Sequence, residues 1–334
     1  MRAIIPVAGI GARLRPHTHT QPKALVPVAG KPILAHIVDG LIEGGIKDFV
    51  FILGYLGSKI EEFILSHYQQ QGLTVRFVLQ EPRQGIAHAV WFARQYIENE
   101  EDVLIVLGDS IVQLNLDDFL AKDTTMIGVR KVAVPGMFGV AEADRSGKIK
   151  GLVEKPKIPK SNLGIVGIYR IKNPRLLIES IEYILKNDYK TYGEYQLTDA
   201  LMYMVKKGED MYTYQVEHWY DCGKKESVLE ANAILLQNPK YQNIPEDQFP
   251  DCIIIPPVNI MGNCRITKSI IGPNVAIGEN SIVESSIISN TIIGSFSELE
   301  NTVLSESIIG NDASLKGISQ SLNIGDNTEI IFGQ

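Results

Sequence analysis

Cysteine is scarce in this chain and follows no pattern. Cys222, Cys252 and Cys264 are the only three in 334 residues. An odd number with no close pair supplies neither a disulfide framework nor metal-ligand spacing, so reduced thiols are expected. Long apolar runs are also missing. The first, from Ala3, is broken by Pro6 and Gly9, too soon for a signal-peptide core, and no window approaches the roughly 20 residues of a transmembrane helix. These absences predict a soluble cytoplasmic protein with no membrane partner. An excess of positive charge is lacking as well: 32 Lys and Arg face 39 Asp and Glu, a net charge of −7. Nucleic acid is therefore not expected as a partner, because that binding rests on neutralising phosphates. The last absence is local. No Asp or Glu precedes Asp39, whereas Arg2, Arg13, Arg15, Lys23 and Lys31 all do.

An acidic chain with a purely basic opening segment points to a small polyanionic ligand. Within that segment Ala3 to Val7 reads as a buried strand, and a turn with Ala8, Gly9 and Gly11 follows it. Glycine lets backbone N–H groups approach a ligand closely, and such groups suit phosphate oxygens. Arg13 and Lys23 add full positive charge beside them. A nucleoside triphosphate is the expected ligand. A dinucleotide-binding turn fits less well, since the third glycine of that fingerprint is missing.

Length suits two domains, and 45% apolar content is enough for ordinary cores. Over the first third, strands and helices alternate. Ile33, Leu34, Ile37, Val38, Leu41 and Ile42 share one helical face. Phe49 to Leu53, Val75 to Leu79 and Val103 to Leu107 read as buried strands. Ser58, with Glu61 three residues on, reads as a capping box opening a helix to about Tyr68, and Ile86 to Tyr96 as the next helix. This alternation predicts a mainly parallel α/β sheet of Rossmann-like type with helices on both faces, its ligand site beyond the carboxyl ends of the strands. Gly9, Gly11, Gly108 and Asp109 all fall just past strand ends.

The texture changes after residue 236. Gln237 to Pro250 is polar and proline-bearing and reads as a linker between a domain of residues 1–236 and one of 251–334. Ile-Ile-Gly recurs at Ile270, Ile292 and Ile308, and apolar residues step by six through Ile271, Ile277 and Val283, Ile293 and Leu299, and Ile309 and Leu315. Small residues such as Ala276, Ser297 and Ala313 lie between. Six-residue steps of this kind predict a hexapeptide-repeat β-helix of three to four coils.

Further motifs carry chemistry. VLIVLGDS ends an apolar strand in Asp109, where a metal ligand is well placed, and HWYDCG offers Asp221. Two carboxylates from distant segments can hold one Mg²⁺ together with phosphate oxygens. A glutamine amide, as at Gln80 in LQEPRQGIAHA, presents a donor and an acceptor that suit a pyrimidine edge. His88, on the apolar stretch that follows, reads as structural.

These motifs, in their order and spacing, make most of the chain resemble the sugar-1-phosphate nucleotidyltransferases, especially the glucose-1-phosphate thymidylyltransferase group with a C-terminal left-handed β-helix. GIGARLRP followed by PKALVPV is similar to that family's signature loop. The resemblance implies that Arg13 and Lys23 hold the triphosphate, that Gln80 and Gly85 face the base, and that Asp109 and Asp221 bind Mg²⁺. LVEKPKIPKSNLGIVGIY and the FGV before it resemble the sugar-phosphate signature. They imply Lys155 on the phosphate of the sugar phosphate, Glu154 on its hydroxyls, and Gly139, Asn162 and Ile165 lining the same pocket. Glu194 and Thr198, in EYQLTD, resemble a further pocket element. Three positions depart from the pattern: Ile10 where a glycine is usual, Ala12 where many relatives carry threonine, and Ser110 where asparagine is frequent.

The implied reaction joins a nucleoside triphosphate, dTTP or UTP, to a sugar-1-phosphate, glucose-1-phosphate foremost. A mannose-1-phosphate guanylyltransferase keeps the same fold, and a non-catalytic regulatory subunit would bind sugar nucleotide without turnover. Some relatives transfer acetyl groups in the β-helix by means of a histidine base. All six histidines here (His17, His19, His36, His67, His88 and His218) precede the repeats, so the repeats are expected to be structural or regulatory and to support a homo-oligomer.

Overall fold

The computed structural model describes residues 1–245 and 249–317. The chain divides into two compact units, the first Met1–Ala231 and the second beginning at Asn232. Strands of the first unit are β1 (Arg2–Pro6), β2 (Asp48–Leu53), β3 (Thr74–Leu79), β4 (Val103–Val106), β5 (Ser110–Gln113), β6 (Thr125–Lys131), β7 (Gly139–Ala143), β8 (Ile149–Glu154), β9 (Leu163–Ile171), β10 (Met211–Gln215) and β11 (His218–Asp221). Its helices are α1 (Ile33–Glu43), α2 (Gly57–Tyr68), α3 (Ile86–Phe92), α4 (Leu116–Ala121), α5 (Pro174–Lys186) and α6 (Leu197–Lys206).

Nine strands form one mixed sheet. Its path is β8-β7-β9-β4-β1-β2-β3, with β6 joining β9 to β10. β4, β1, β2 and β3 are mutually parallel. β4, β1 and β2 are covered on both faces, which is why, past Arg2 and Asp48 at their starts, they are apolar at every position rather than at alternate ones. Ile4, Val50, Ile52, Val103 and Ile105 pack in one core with Ala87, Val90, Leu177, Ile181, Leu201 and Met204 of α3, α5 and α6. The intervening Phe49 and Phe51, also fully buried, point the other way, where Phe51 stacks on Phe77 at 5.8 Å. α5 has the expected amphipathic spacing, burying Leu177, Ile178, Ile181 and Ile184, and it opens with Asn173 accepting from the Leu176 N–H and Pro174 in the first turn. Beyond β4 the sheet turns antiparallel, through β9, β7 and β8.

Two local readings are corrected. Ser58 lies one residue inside α2, which starts at Gly57, so it is not the cap; a capping side chain must precede the helix whose amides it satisfies. The helix expected to reach Tyr96 stops at Phe92, and Arg94–Tyr96 is a separate 3-10 turn. Among the described residues no helix is long and apolar enough to cross a membrane, and Cys222, Cys252 and Cys264 are free thiols.

The second unit is a parallel β-helix of the left-handed class, with three four-stranded sheets as its sides. Ile271, Ile277, Val283, Ile288, Ile293 and Leu299 point inward as one apolar column. Ile253 pairs with Ile270, Ile270 with Ile287 and Ile287 with Val303, so the coils take seventeen, seventeen and sixteen residues rather than the eighteen of strict hexapeptides. Some sides are therefore one residue short, and the repeated Ile-Ile-Gly does not mark one position: Ile270 lies in one sheet and Ile292 and Ile308 in another. Corners are made by single left-handed residues, chiefly Asn263, Asn274, Asn280, Ser285, Asn290 and Asn301, types that tolerate that conformation at small cost. The stretch read as a linker holds a 3-10 turn at Pro239–Tyr241, and Asn243 exchanges backbone bonds with Val258 and Ile260.

Gly272 shows how tight a corner is. Its φ is +111°, and a Cβ there would lie 1.8 Å from the Ile255 carbonyl oxygen. Gly272→Ala is expected to cost about 3 kcal/mol or more, through strain that no side-chain shift relieves. Thermal and urea unfolding followed by circular dichroism would register it as an early transition absent from the parent protein.

Candidate active site

The parallel strands β1, β2, β3 and β4 deliver their loops to one edge of the sheet. Residues 7–12 follow β1, Gly54 follows β2, Gln80 follows β3, and Leu107, Gly108 and Asp109 follow β4. The first and last of these loops are in contact. The Gly108 N–H donates to the Pro6 carbonyl at 3.2 Å, and a Cβ on Gly108 would fall 2.2 Å from Val7 Cγ1. Gly11 is needed for two reasons. Its φ is +66°, and a Cβ would sit 2.9 Å from both Lys23 Cβ and Thr18 Cγ2. Lys23 thus passes directly under the glycine loop. Gly9 has open space where its side chain would be.

Lys23 is 9% exposed. Its ammonium meets Asp109 Oδ2 at 2.7 Å, and the Asp109 side chain is 44% open to the cavity. Asp221 arrives by a different route. β11 pairs antiparallel with β5, placing Asp221 opposite Ser110, and the Cys222 N–H donates to the Asp109 carbonyl at 3.2 Å. Arg13 reaches the same point, since a Cβ on Gly223 would lie 2.8 Å from Arg13 Nη2 and 2.9 Å from Asp221 Oδ1. Burial raises the affinity of both carboxylates for protons, and neighbouring charge then separates them. At Asp109 the Lys23 ammonium, aided by Arg13, overcomes burial and holds the group below its ordinary range. At Asp221 burial prevails, reinforced by the charge of Asp109, and the group is held above its ordinary range.

Two cavities meet at this junction. The first, of about 410 Å³, is lined by Ala8, Gly9, Gly11, Lys23, Gln80, Gly85, Asp109 and Glu194, among others. The second, of about 500 Å³, is lined by Arg13, Asp109, Asp221, Gly139, Glu154, Lys155, Ile165 and Thr198, again among others. Asp109 belongs to both. In the first, the Gln80 amide nitrogen donates to the Gly85 carbonyl at 3.1 Å, which leaves the amide oxygen as the free acceptor. Gly85 has φ +108°, and a Cβ would lie 2.5 Å from the Tyr195 carbonyl oxygen, so the loop closes down on the chain's own backbone. In the second, the Thr198 hydroxyl donates to Glu154 Oε2 at 2.7 Å. A Cβ on Gly139 would approach that same oxygen to 2.9 Å, so the missing side chain accommodates Glu154 and Thr198 as well as any ligand. Lys155 stands at φ +41°, a conformation non-glycine residues seldom hold outside constrained sites.

Of the residues assigned to the two pockets from the sequence, Asn162 is the one that lines neither cavity. It is exposed at the edge of β9, with its backbone carbonyl taken by the Val132 N–H. His88 is 8% exposed, with Nδ1 3.3 Å from Gln80 Nε2, and it too lines neither cavity. Arg83 lines the first cavity and Tyr169 and Trp219 the second; Arg83 and Tyr169 carry no signal in the sequence, whereas Trp219 and Gly223 flank Asp221 as W-x-D-x-G. Trp219 packs edge-on to Phe138 at 4.8 Å, and its buried indole N–H has no partner among the described residues.

The arrangement can hold a polyphosphate against backbone amides and two cations, with a second ligand approaching across Asp109 and Asp221. Such a sheet edge and paired cavities define a phosphoryl- or nucleotidyl-transfer enzyme of the α/β class. The family model for nucleotidyl transferases matches residues 2–238, and the chain belongs to that family of enzymes. It is 33% identical over 246 residues to the low-salt glycan biosynthesis nucleotidyltransferase Agl11 of Haloferax volcanii, covering 71% of this chain and 67% of that protein. It is 31% identical over 287 residues to a glucose-1-phosphate thymidylyltransferase of Streptomyces antibioticus, covering 82% and 77%. Among solved structures, one described as a glucose-1-phosphate thymidylyltransferase of Bacillus anthracis in complex with sucrose superposes with a TM-score of 0.60 at 28% identity, over 70% of this chain and 94% of that one.

Lys23→Met tests the charge balance. The depressed Asp109 pKa means that its pairing stabilises the fold at neutral pH, and that this contribution fades as pH falls through the depressed value. The variant is expected to lose about 1 kcal/mol at pH 7, a figure reduced for the solvent that reaches Asp109. As pH falls through the depressed Asp109 pKa the difference should shrink. Urea unfolding over a pH series from 7 downward measures it.

Proposed function

We propose that this enzyme joins a nucleoside triphosphate to a sugar-1-phosphate, releasing pyrophosphate and an NDP-sugar. The observation that carries the reading is the convergence, where two cavities meet, of Arg13, Lys23, Asp109 and Asp221, with Lys155 across the second cavity. A non-catalytic sugar-nucleotide-binding subunit would have no need of that full set.

In this reading the triphosphate lies along Ala8, Gly9 and Gly11, with Lys23 and Arg13 as its cations. Gln80 and Gly85 meet the base. The free acceptor at Gln80 can take an N–H from the pairing edge of a base, which thymine, uracil and guanine offer as a ring N–H and cytosine and adenine as an amino group. The thymidylyltransferase relatives favour dTTP or UTP among these, with glucose-1-phosphate as the acceptor. Lys155 takes the phosphate of the sugar phosphate, while Glu154, held by Thr198, accepts from sugar hydroxyls. The sugar-phosphate oxygen attacks the α-phosphorus in line. A phosphate dianion needs no general base, so positioning and charge stabilisation supply the catalysis.

The donor set fits Mg²⁺. Asp109 and Asp221 present hard carboxylate oxygens from two separate segments, brought together by the pairing of β11 with β5. Among the described residues no third acid, histidine or cysteine completes a protein-only site, which accords with an ion whose remaining ligands are water and phosphate oxygens. Bound there, Mg²⁺ would neutralise charge on the α-phosphate.

Placement in the reducing cytoplasm accords with the three free thiols. A homo-oligomer is supported by an uncharged outward column on one side of the β-helix, where Ile253, Ile287 and Val303 are 59%, 48% and 78% exposed.

A pyrophosphate-release screen of each nucleoside triphosphate against a panel of sugar-1-phosphates tests the assignment. Release with dTTP or UTP and glucose-1-phosphate is expected; no release with any pair would overturn it. Asp109→Asn and Asp221→Asn are each expected to lower Mg²⁺-dependent turnover at least 100-fold with unchanged circular dichroism. Full turnover in either would remove that residue from the metal site.

A further inference from the structure

A third cavity, of about 500 Å³, lies on the far side of Glu154 from the reacting groups. One wall is β8, the terminal strand of the sheet path; the others come from α5, α6 and the segment between them. Nothing in the proposed reaction uses it.

Its lining has a distinct chemistry. Tyr183 and Tyr203 stack with ring centroids 4.0 Å apart, and Tyr183 remains 45% exposed. Tyr189, 55% exposed, stands beside them, and Thr191 adds a hydroxyl. Asp199 also lines the cavity, and its buried Oδ2 has no hydrogen-bond partner among the described residues. An unsatisfied carboxylate oxygen of this kind costs free energy until a donor reaches it. The charges are Asp199 and Glu154 against Lys206, a balance that does not favour a phosphorylated ligand. Aromatic faces next to a carboxylate and a hydroxyl suit a neutral polyhydroxylated ring, whose apolar face stacks while its hydroxyls donate.

We propose that this cavity is a binding site for a neutral pyranose, and that its occupancy is coupled to the sugar-phosphate cavity. The coupling runs through adjacent residues. Asp199 follows Thr198, whose hydroxyl holds Glu154 Oε2 at 2.7 Å, and Glu154 lines both cavities. A ring drawing on Asp199 shifts the first turn of α6 and with it the grip on Glu154. Linkage requires that a ligand in the second cavity alter affinity in this one by the same factor. The coupling rests on the reading of the second cavity given above; the binding itself does not.

The experiment uses saturation-transfer NMR on the full-length protein with methyl α-D-glucopyranoside, methyl α-D-mannopyranoside and N-acetylglucosamine as probes. Transfer to at least one probe is expected in the parent protein and in Lys155→Ala, whose change lies in the other cavity. At least a fivefold loss of signal is expected in Asp199→Asn and in Tyr183→Ala. Asp199→Asn is isosteric, and its melting temperature serves as the check of folding should Tyr183→Ala fail to fold. No transfer for any probe, full transfer in Asp199→Asn, or transfer abolished by Lys155→Ala alone would each overturn the proposal. Pyrophosphate release plays no part in this readout, so failure here is distinguishable from failure of the transferase reading.

Discussion

The ion pair between Lys23 and Asp109 is the contact on which the site depends. A lysine 9% exposed is costly unless its charge is answered, and Asp109 answers it at 2.7 Å. The pair also joins the two loops that define the site, one after β1 and one after β4. Both are drawn close by glycines whose side chains would collide, Gly11 with Lys23 and Gly108 with Val7. Two adjacent parallel strands alone would leave these loops as neighbours; the ion pair binds them into a single wall shared by both cavities.

Asp221 adds a second carboxylate beside one that is already paired. At Asp221 burial raises the pKa and the charge of Asp109 adds to it, and together they outlast the opposing pull of Lys23 and Arg13. The short pairing of β11 with β5 enforces this proximity through backbone bonds, independently of the side chains. The fold thus brings the two acids to one point, with Lys23 and Arg13 beside them.

Much of this was legible in the sequence because the physical signal was local. Apolar runs such as Ala3 to Val7 and Phe49 to Leu53 mark strands covered on both faces, and the glycines and aspartates just past such strand ends follow from that. The basic opening segment likewise marked its ligand class. What was not legible depended on pairing across distance. The antiparallel half of the sheet has no helix-strand alternation to announce it. The β-helix side length hides behind its six-residue steps, because left-handed corners at Ser285 and Asn290 absorb a residue without disturbing the inward isoleucines. Asn162 carries the right side chain within a specific motif, yet β9 leaves it exposed outside both cavities. Tyr169 has no local signal in the sequence, and only the fold turns it toward the second cavity.

The tight turn from Thr191 to Glu194 shows how the two cavities are kept in step. Its ends exchange backbone bonds at 3.0 and 3.3 Å. Glu194 lines the first cavity, while the Tyr192 hydroxyl donates at 2.7 Å to the carbonyl of Lys155, which lines the second. Lys155 and Tyr192 both have positive φ, at 41° and 54°. Left-handed backbone at two non-glycine residues is stable only where surrounding bonds hold it, and here each is braced through the other. Glu194 and Lys155 are therefore connected through this turn and one short hydrogen bond. Groups contributed by separate strands thus keep a fixed spacing across the junction, and an in-line displacement between two ligands requires that spacing.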